Sequence, residues 1–297
     1  MDPAMKATIM KHRSPKPPPS KHLNPLQVKL KNNPYAHALA APVRQCAILK
    51  TRLPSSFLIR YRLVAHPETG ALWYIPQGMA KPVPVDRAPS DLEEQLSLSA
   101  PPNGPSSYAL SSASLLQHIT LQRKKRKLFT WELLNRCQAL EAKSNIIWRR
   151  DMHEFVLGLL RKRVHNETNY IATRRCFSRC ATLEEVQRKK QVGFVLWFGR
   201  PSSAHRDVPN DKEDGGPMSY TTIATQRPVA EVAVYNLPRL LGRGLADALR
   251  HDFGLEPHNE AVVVKSRRST VDAGVWLWKL EGYLAGFEEA PGECTED

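Results

Sequence analysis

The residues in this sequence that are best suited to chemistry are cations. Five of them form an uninterrupted run at 123–127, and more follow through the span 121–190. Those that we predict to contact nucleic acid are Arg123, Lys124, Lys125, Arg126, Lys127, Arg149, Arg150, Arg161, Lys162, Arg163, Arg174, Arg175, Lys189 and Lys190, with Arg60 and Arg62 elsewhere. Ammonium and guanidinium groups neutralise phosphates and release their counterions, so this set predicts sequence-independent binding to a polyanion that weakens as salt rises.

The overall charge agrees with that prediction. The chain has 297 residues, and its 43 Lys and Arg against 29 Asp and Glu give a formal net charge of +14, while 41% hydrophobic residues are enough for a core. Such an excess favours nucleic acid or an anionic membrane surface as partner, and a merely solvated basic surface is the alternative.

Two function classes are disfavoured by the sequence. The longest apolar run, 192–198, is far shorter than the roughly 20 residues of a membrane-spanning helix, so we expect no integral membrane insertion. The five cysteines are odd in number and scattered, which is typical of a reducing compartment rather than of a disulfide-bonded secreted domain.

No metal or cofactor site is predicted. Cys176 and Cys180 are close in sequence and His165 lies upstream, but a structural zinc site needs a second short-spaced pair. Gly242-Arg243-Gly244 lacks both the third glycine of a dinucleotide fingerprint and the Gly-Lys-Ser/Thr of a phosphate-binding loop, and is better explained as a bend before a helix.

No catalytic residues and no small-molecule substrate are predicted either. The alternative is an RNA-modifying or nucleolytic enzyme that uses Asp247, His251 or Asp252 as acid and base. These three residues fall on one predicted helix, where a solvated charged face explains them more simply. We therefore predict a protein that is not an enzyme.

The sequence also lacks the signatures of base-reading modules: no RNP motif, zinc-finger spacing or basic zipper is present. Recognition of backbone and shape is expected instead. Tyr61, Trp148 and Phe177 lie next to cations and could stack on unpaired bases. For Tyr61 and Trp148, a place in the core is the better interpretation, because they lie on predicted apolar faces.

Composition along the chain predicts an α+β protein with an N-terminal basic arm and β-hairpin, a central basic helical block and a C-terminal β-α-β-α unit. Pro- and Lys-rich residues without apolar periodicity predict an arm that stays extended until bound. The predicted segments are the arm (1–34), a hairpin-containing segment (35–79), a linker or long loop (80–113), a basic helical region with a buried strand (114–199), a surface insertion (200–225), the α/β unit (226–286) and an acidic tail (287–297).

Several elements position the cations. Residues 57–64 and 71–76 predict the two strands of a hairpin, with Arg60 and Arg62 on its outer face. Two or three amphipathic helices are predicted over 114–168, a capping box at 182–185 opens a short helix, and 192–198 is a buried strand. The C-terminal unit is predicted from strands at 229–234 and 261–264 and helices at 237–253 and about 269–284.

Three segments carry a resemblance to fungal mitochondrial small-subunit ribosomal proteins. They are 33–46 (NPYAHALAAPVRQC), 52–60 (RLPSSFLIR) and, more loosely, 276–284 (WLWKLEGYL). The resemblance implies a structural role in the mitochondrial ribosome, in the matrix, with ribosomal RNA and other mitochondrial ribosomal proteins as partners. None of these segments is a catalytic or ligand motif, so no functional residue is transferred.

The N-terminus is compatible with that location. Its first thirty residues carry six cations against the single acid Asp2 and have no apolar core of a secretory signal, which favours mitochondrial import or a basic tail along RNA. A dissociable mitochondrial factor for translation or RNA processing is the alternative function.

Neutralising residues 123–127 to glutamine is expected to weaken RNA binding. Each phosphate that the variant no longer neutralises should lower the slope of log affinity against log salt by about 0.7 to 0.9. Titration of a labelled RNA with wild-type and variant protein at several salt concentrations measures the slope, and an unchanged slope would refute the assignment of this run.

Overall fold

The computed structural model describes residues 23–65, 71–79, 106–122, 146–199, 216–226 and 229–286. Within these ranges the chain folds into eight α-helices and three sheets, which confirms the predicted α+β class. The helices are α1 (Pro25–Lys31), α2 (Pro34–Leu39), α3 (Ala113–Leu121), α4 (Met152–Thr173), α5 (Leu183–Val186), α6 (Leu237–Leu241), α7 (Arg243–Asp252) and α8 (Val271–Leu284). The strands are β1 (Val43–Gln45), β2 (Arg52–Pro54), β3 (Leu58–Ala65), β4 (Leu72–Gln77), β5 (Ser107–Leu110), β6 (Ile146–Ile147), β7 (Phe177–Cys180), β8 (Val192–Trp197), β9 (Thr222–Gln226), β10 (Val229–Asn236) and β11 (Ala261–Lys265).

The predicted hairpin is confirmed. Strands β3 and β4 pair antiparallel, and β5 and β6 extend them into a four-stranded sheet of order β5-β3-β4-β6; the predicted turn at 66–70 lies outside the described residues. Ile59 and Tyr61 point into the core as expected. Tyr61 and Tyr74 pack against Trp148, with ring centroids 5.7 and 5.3 Å apart. Trp148 is therefore a core residue, although it precedes α4 instead of lying on a helix.

The hairpin arginines differ from the prediction. Arg60 is partly buried and Arg62 is only 8% exposed, so Arg62 does not lie on an open outer face. Strand β3 is an interior strand that pairs with both β4 and β5, but its pairing with β5 ends at Tyr61, and Arg62 lies opposite Ile75 of β4. The alternation of basic and apolar residues correctly predicted the strand but not its position inside the sheet.

A five-stranded mixed sheet, in the order β7-β11-β8-β10-β9, forms the second half of the fold. Strand β8, predicted as a buried strand, is its centre: it pairs parallel with β10 and antiparallel with β11. One face of the sheet joins the main hydrophobic core with α4, α7 and α8. The opposite face carries a smaller cluster around Val195, Val234 and Val263, closed by Val186 of α5.

The predicted C-terminal β-α-β-α unit does not form a separate unit, because its two strands are not adjacent in the sheet. Strands β10 and β11 are not neighbours, because β8 lies between them, and β7 also belongs to the sheet. The single helix predicted over 237–253 is two helices, α6 and α7, separated at Gly242, whose φ of 84° is a conformation that glycine adopts readily. The bend predicted at Gly242-Arg243-Gly244 is thus present, and the last helix is α8.

Regular structure also occurs where we predicted none. Helix α1 forms within the predicted arm, because Asn24 accepts from the Gln27 backbone at 2.8 Å and Gln27 accepts from Asn24 in return at 3.0 Å. Strand β5 and the start of α3 lie in the predicted linker, and β9 lies in the predicted insertion. Strand β5 is set by pairing with β3, about 50 residues earlier, which local composition does not show. Strand β9 pairs antiparallel with β10, the next strand along the chain.

Helix α5 begins where the sequence predicts it, but the capping box predicted at 182–185 does not form. The Thr182 side chain makes no capping bond; instead the Ala181 N–H donates to Oε2 of Glu185 at 3.2 Å. Of the helices predicted over 114–168, α3 and α4 are present, and residues 123–145 lie outside the described ranges.

No helix in the described ranges is long and apolar enough to cross a bilayer.

Helix α8 joins the two halves of the fold. Its Tyr283 hydroxyl donates to the carbonyl of His153 on α4 at 2.7 Å. Its Gly274 lies so close to α2 that a Cβ there would be 2.8 Å from Cβ of Pro34, so only glycine allows this approach. Its Trp278 packs edge-on against Tyr35 at 4.9 Å.

Lys279 of α8 is held in an apolar setting. Its Nζ donates to the carbonyl of Leu58, the first residue of β3, at 2.8 Å and lies 5.4 Å from the Trp276 ring centroid. Desolvation lowers the pKa of this ammonium to about 8, and no carboxylate of the described residues forms an ion pair with it. The protonated amine is therefore less favourable in the folded protein than in the unfolded chain.

We expect wild-type stability to rise relative to Lys279→Met when the pH increases from 7.5 to 9.5. Over this range the folded protein loses the Lys279 proton while the unfolded chain, with a pKa near its ordinary value, retains it. The relative gain should be about 1 to 2 kcal/mol. Urea unfolding at both pH values measures it, with Lys190→Met as a matched control at an exposed position. Parallel profiles for wild type and Lys279→Met would contradict the assignment.

Candidate nucleic-acid interface

Strand direction gathers basic residues at one end of the five-stranded sheet. Strands β7 and β8 begin at this end, and β11, which is antiparallel to both, finishes there. The residues just before β7 and β8 and those at the end of β11 therefore lie side by side. We call this set the basic rim; it consists of Arg174, Arg175, Arg188, Lys189, Lys190, Lys265, Arg267 and Arg268.

Backbone hydrogen bonds fix the segments that carry the rim. The Lys265 N–H donates to the Cys176 carbonyl at 3.0 Å, and the Ser266 N–H donates to the Gln191 carbonyl at 2.8 Å. On the other side, the N–H of Gln226, at the end of β9, donates to the carbonyl of Gln187 at 2.9 Å. The rim is therefore part of the sheet, and its charges are held at spacings set by neighbouring strands.

Most positive charges of the rim are exposed, and they are not neutralised by carboxylates of the described residues. Arg174, Arg175, Arg188, Lys190 and Arg267 are exposed, as is Arg268. Within the part of the chain that the structure describes, none of the eight rim residues forms an ion pair with a carboxylate. Cations grouped in this way repel one another and create a positive potential, so an anion that binds across several of them relieves that repulsion.

The N-terminal helices extend the rim. The Arg268 guanidinium lies 3.0 Å from the His37 ring of α2, and the same ring lies 2.9 Å from the carbonyl oxygen of Lys31. This contact brings α1, which carries Lys29 and Lys31, beside the end of the sheet.

Four of the residues predicted to bind nucleic acid meet at the rim: Arg174, Arg175, Lys189 and Lys190. The prediction omitted Arg188, which precedes Lys189, and it also omitted the three cations after β11, Lys265, Arg267 and Arg268. Their signal was a basic cluster directly after a buried strand, but only the strand order shows that this cluster lies beside residues about 75 to 90 positions earlier.

Arg149 and Arg161 make internal contacts instead. Arg149 forms two hydrogen bonds with the Asp151 carboxylate, at 2.9 and 2.7 Å, which lower the pKa of that carboxyl. The Nε–H of Arg161 donates to the carbonyl of Leu240 at 3.0 Å and ties α4 to α6. Both guanidinium groups are therefore engaged by other groups of the protein.

Arg163 is also committed to the interior. It forms an ion pair with the buried Glu167 one turn later, at 3.0 Å, and its guanidinium lies 4.9 Å from the Trp276 ring centroid of α8. A cation shared between a buried carboxylate and an aromatic ring is poorly placed to contact phosphate. The sequence could not separate this structural arginine from its neighbour Lys162, which is exposed.

The remaining predicted residues lie elsewhere. Lys162 is exposed on α4, about 18 Å from Arg174 along the helix axis. Arg150 is exposed before the start of α4, and Arg60 and Arg62 belong to the other sheet. The run Arg123–Lys127 lies outside the described residues, so its assignment stays a prediction.

Metal binding gains no support from the cysteines. Cys176 and Cys180 are buried, but they pack into different hydrophobic clusters. Burial raises the pKa of the Cys180 thiol, which disfavours the thiolate that a metal requires. No group of three potential ligands capable of holding a metal occurs in the described ranges.

The fold and the rim together define an α+β protein with a basic surface that forms no ion pair with a carboxylate of the described residues. Residues 11–194, more than half of the chain, match the model of a protein family described as required for respiratory growth protein 8, mitochondrial. The chain therefore belongs to this family and is a mitochondrial protein. Comparison with curated proteins and with solved structures gives no match.

The matched region ends within β8, at the centre of the five-stranded sheet. Strands β9, β10 and β11 and the rim residues Lys265, Arg267 and Arg268 come after it. The sheet that presents the rim is therefore built from both the matched region and the residues that follow it.

Replacing Arg174, Arg188 and Lys190 with glutamine is expected to weaken RNA binding more than the same change at Arg150, Lys162 and Arg243. Both triple variants remove three positive charges at exposed sites, but only the first set lies on the rim. The rim variant should lower the salt slope by about 0.7 to 0.9 for each phosphate that it no longer neutralises, as measured by fluorescence anisotropy from 50 to 200 mM salt. Equal weakening in both variants would show an effect of net charge alone.

Proposed function

We propose that this chain is a non-enzymatic RNA-binding protein of the mitochondrial matrix that acts in mitochondrial translation. The form that we favour is a structural component of the mitochondrial ribosome, in its small subunit, where it contacts ribosomal RNA and neighbouring ribosomal proteins. The observation that carries the proposal is the convergence of eight cations, without carboxylate partners in the described ranges, at one end of the five-stranded sheet.

The dimensions of the rim fit a phosphate backbone. Neighbouring strands lie about 4.8 Å apart, so the strand ends of β7, β11 and β8 span roughly 10 Å. Backbone phosphates follow one another every few ångströms, so several can be neutralised at once. Such contacts bind without reading sequence, in agreement with the lack of base-reading motifs.

The family description supports the cellular setting. A family required for respiratory growth is one whose loss impairs respiration, and loss of mitochondrial translation has that effect. The resemblance of segments 33–46 and 52–60 to ribosomal proteins points the same way. In the fold, these segments form α2 to β3 and pack against α8 by way of Tyr35 and Phe57. They therefore contribute to the scaffold.

A dissociable RNA-binding factor for translation or RNA processing is the second candidate. It is favoured by the exposed, charged character of the rim, because an association made mainly by exposed charges weakens as salt is raised. This candidate uses the same rim and differs from the first in the stability of its association with the ribosome.

Sedimentation of mitochondrial lysate through sucrose gradients separates the two candidates. A structural component should migrate with the small subunit in stoichiometric amount at both low and high salt. A dissociable factor should leave the ribosomal fractions as salt is raised, and the rim triple variant should leave them at lower salt than wild type. Migration in ribosome-free fractions at every salt concentration would contradict the ribosomal role.

A further inference from the structure

A cavity of about 580 Å3 opens beside the basic rim. It lies between the C-terminal ends of α4 and α7 and along the edge strand β7, and its lining includes Arg175, Phe177, Arg179, His251, Asp252 and Gly254. Its volume is in the range of small-molecule sites, roughly 300 to 1,000 Å3. Arg175 belongs to both the cavity and the rim, so the two features are continuous.

Three aromatic rings contribute to the lining, those of Phe177, His251 and Phe253. Phe177 is partly exposed, and its ring is held edge-on by the buried Phe253, with centroids 4.8 Å apart. Phe253 packs in turn against Phe198, just after β8, at 5.8 Å, so the orientation of Phe177 is supported by the core. The His251 side chain is exposed and has no side-chain partner among the described residues. Planar rings at a cavity wall are suited to stacking on a nucleobase.

The polar groups are arranged for an anion at one side of the cavity. The Nε–H of Arg179 donates to the Phe253 carbonyl at 3.0 Å, which holds the guanidinium along the wall. A Cβ at residue 254 would lie 2.8 Å from an Arg179 amino group, so Gly254 leaves the space that this guanidinium occupies. The Asp252 carboxylate, at the end of α7, accepts a hydrogen bond from the Asn169 side chain of α4 at 2.9 Å. This contact fixes a hydrogen-bond acceptor in the cavity wall.

We propose that this cavity receives one nucleoside monophosphate unit, with its base against Phe177 and His251 and its phosphate at Arg175 and Arg179. The inference rests on the proposed function, because the phosphate site continues the rim. A base held in this way must leave its helical stack. The cavity therefore makes the protein selective for single-stranded RNA, or for an unpaired nucleotide of a folded RNA, over a continuous duplex.

The base and phosphate that the cavity binds could belong to a strand of RNA or to a free nucleotide. The rim favours the strand, since further phosphates of the same chain would lie on its neighbouring cations. Binding of uridine and adenosine 5′-monophosphates, measured alongside a single-stranded 12-mer and its duplex, distinguishes the two sources.

The test compares His251→Ala and Phe177→Leu with His258→Ala, an exposed histidine on the following loop that does not line the cavity. Each cavity variant should weaken single-stranded RNA binding by at least about fivefold, the effect expected for one stacked base. Duplex affinity and salt slope should stay at wild-type values, because the rim is intact. The His258→Ala variant should bind both RNAs as wild type does. Circular dichroism checks the fold of Phe177→Leu, and the exposed His251 gives a variant that leaves β7 unaltered.

The outcomes separate the cavity from the rim. If wild-type protein binds both RNAs and both cavity variants keep its affinity for single-stranded RNA, the cavity is not a nucleotide site. The assignment of the rim as an RNA-binding surface would then be unaffected. Failure of wild-type protein to bind either RNA would overturn the proposed function and the cavity together. Binding of free monophosphates as tightly as the 12-mer, abolished in His251→Ala, would support the cavity and identify free nucleotide as its ligand.

Discussion

The pairing of β11 between β7 and β8 is the constraint on which the rest of the structure depends. Val263 lies opposite Ser178 of β7 on one side and opposite Val195 of β8 on the other. The residues of β11 from Ala261 to Val264 are all buried, and the ladder hydrogen bonds to β7 and β8 hold their register. A slip of one residue would turn these side chains to the opposite face and move the rim cations relative to one another.

Because that register is antiparallel on both sides, charges from three distant parts of the sequence meet at one end of the sheet. Mutual repulsion among them is unfavourable in the isolated protein. The sheet tolerates this repulsion because its centre is apolar and its strands are held by backbone hydrogen bonds. The unfavourable charge arrangement thus lies at the edge of a stable core, where a polyanion can neutralise it.

A second constraint is the attachment of the hairpin sheet to the larger sheet, and helix α8 makes this attachment. Lys279 reaches the first residue of β3, and Tyr283 reaches α4. Glu281, also largely buried, accepts the Tyr220 N–H at 2.7 Å, and burial raises the pKa of its carboxyl. These polar contacts are directional, so they orient the helix in a way that apolar packing alone does not. The loop that leads into β9 is held by the same helix.

The sequence predicts elements whose signal is local. The hairpin follows from alternation around Ile59 and Tyr61, and β8 follows from an apolar run. What it could not predict depends on neighbours distant in sequence: β5 forms because β3 offers it an edge, and Arg62 is only 8% exposed in the folded protein. For the same reason the sequence assigned Arg163 to RNA and omitted Arg267. A cation becomes a structural residue or a surface residue according to what packs beside it, and residue type does not show this.

Ultraviolet crosslinking of RNA in intact mitochondria, followed by mass spectrometry of the purified protein, tests most directly whether the rim is the RNA-binding surface. Rim-mediated binding predicts nucleotide adducts on peptides that contain residues 174–179, 187–191 or 265–268. The absence of adducts, or adducts confined to the region around Arg149, Arg161 and Arg163, would contradict it.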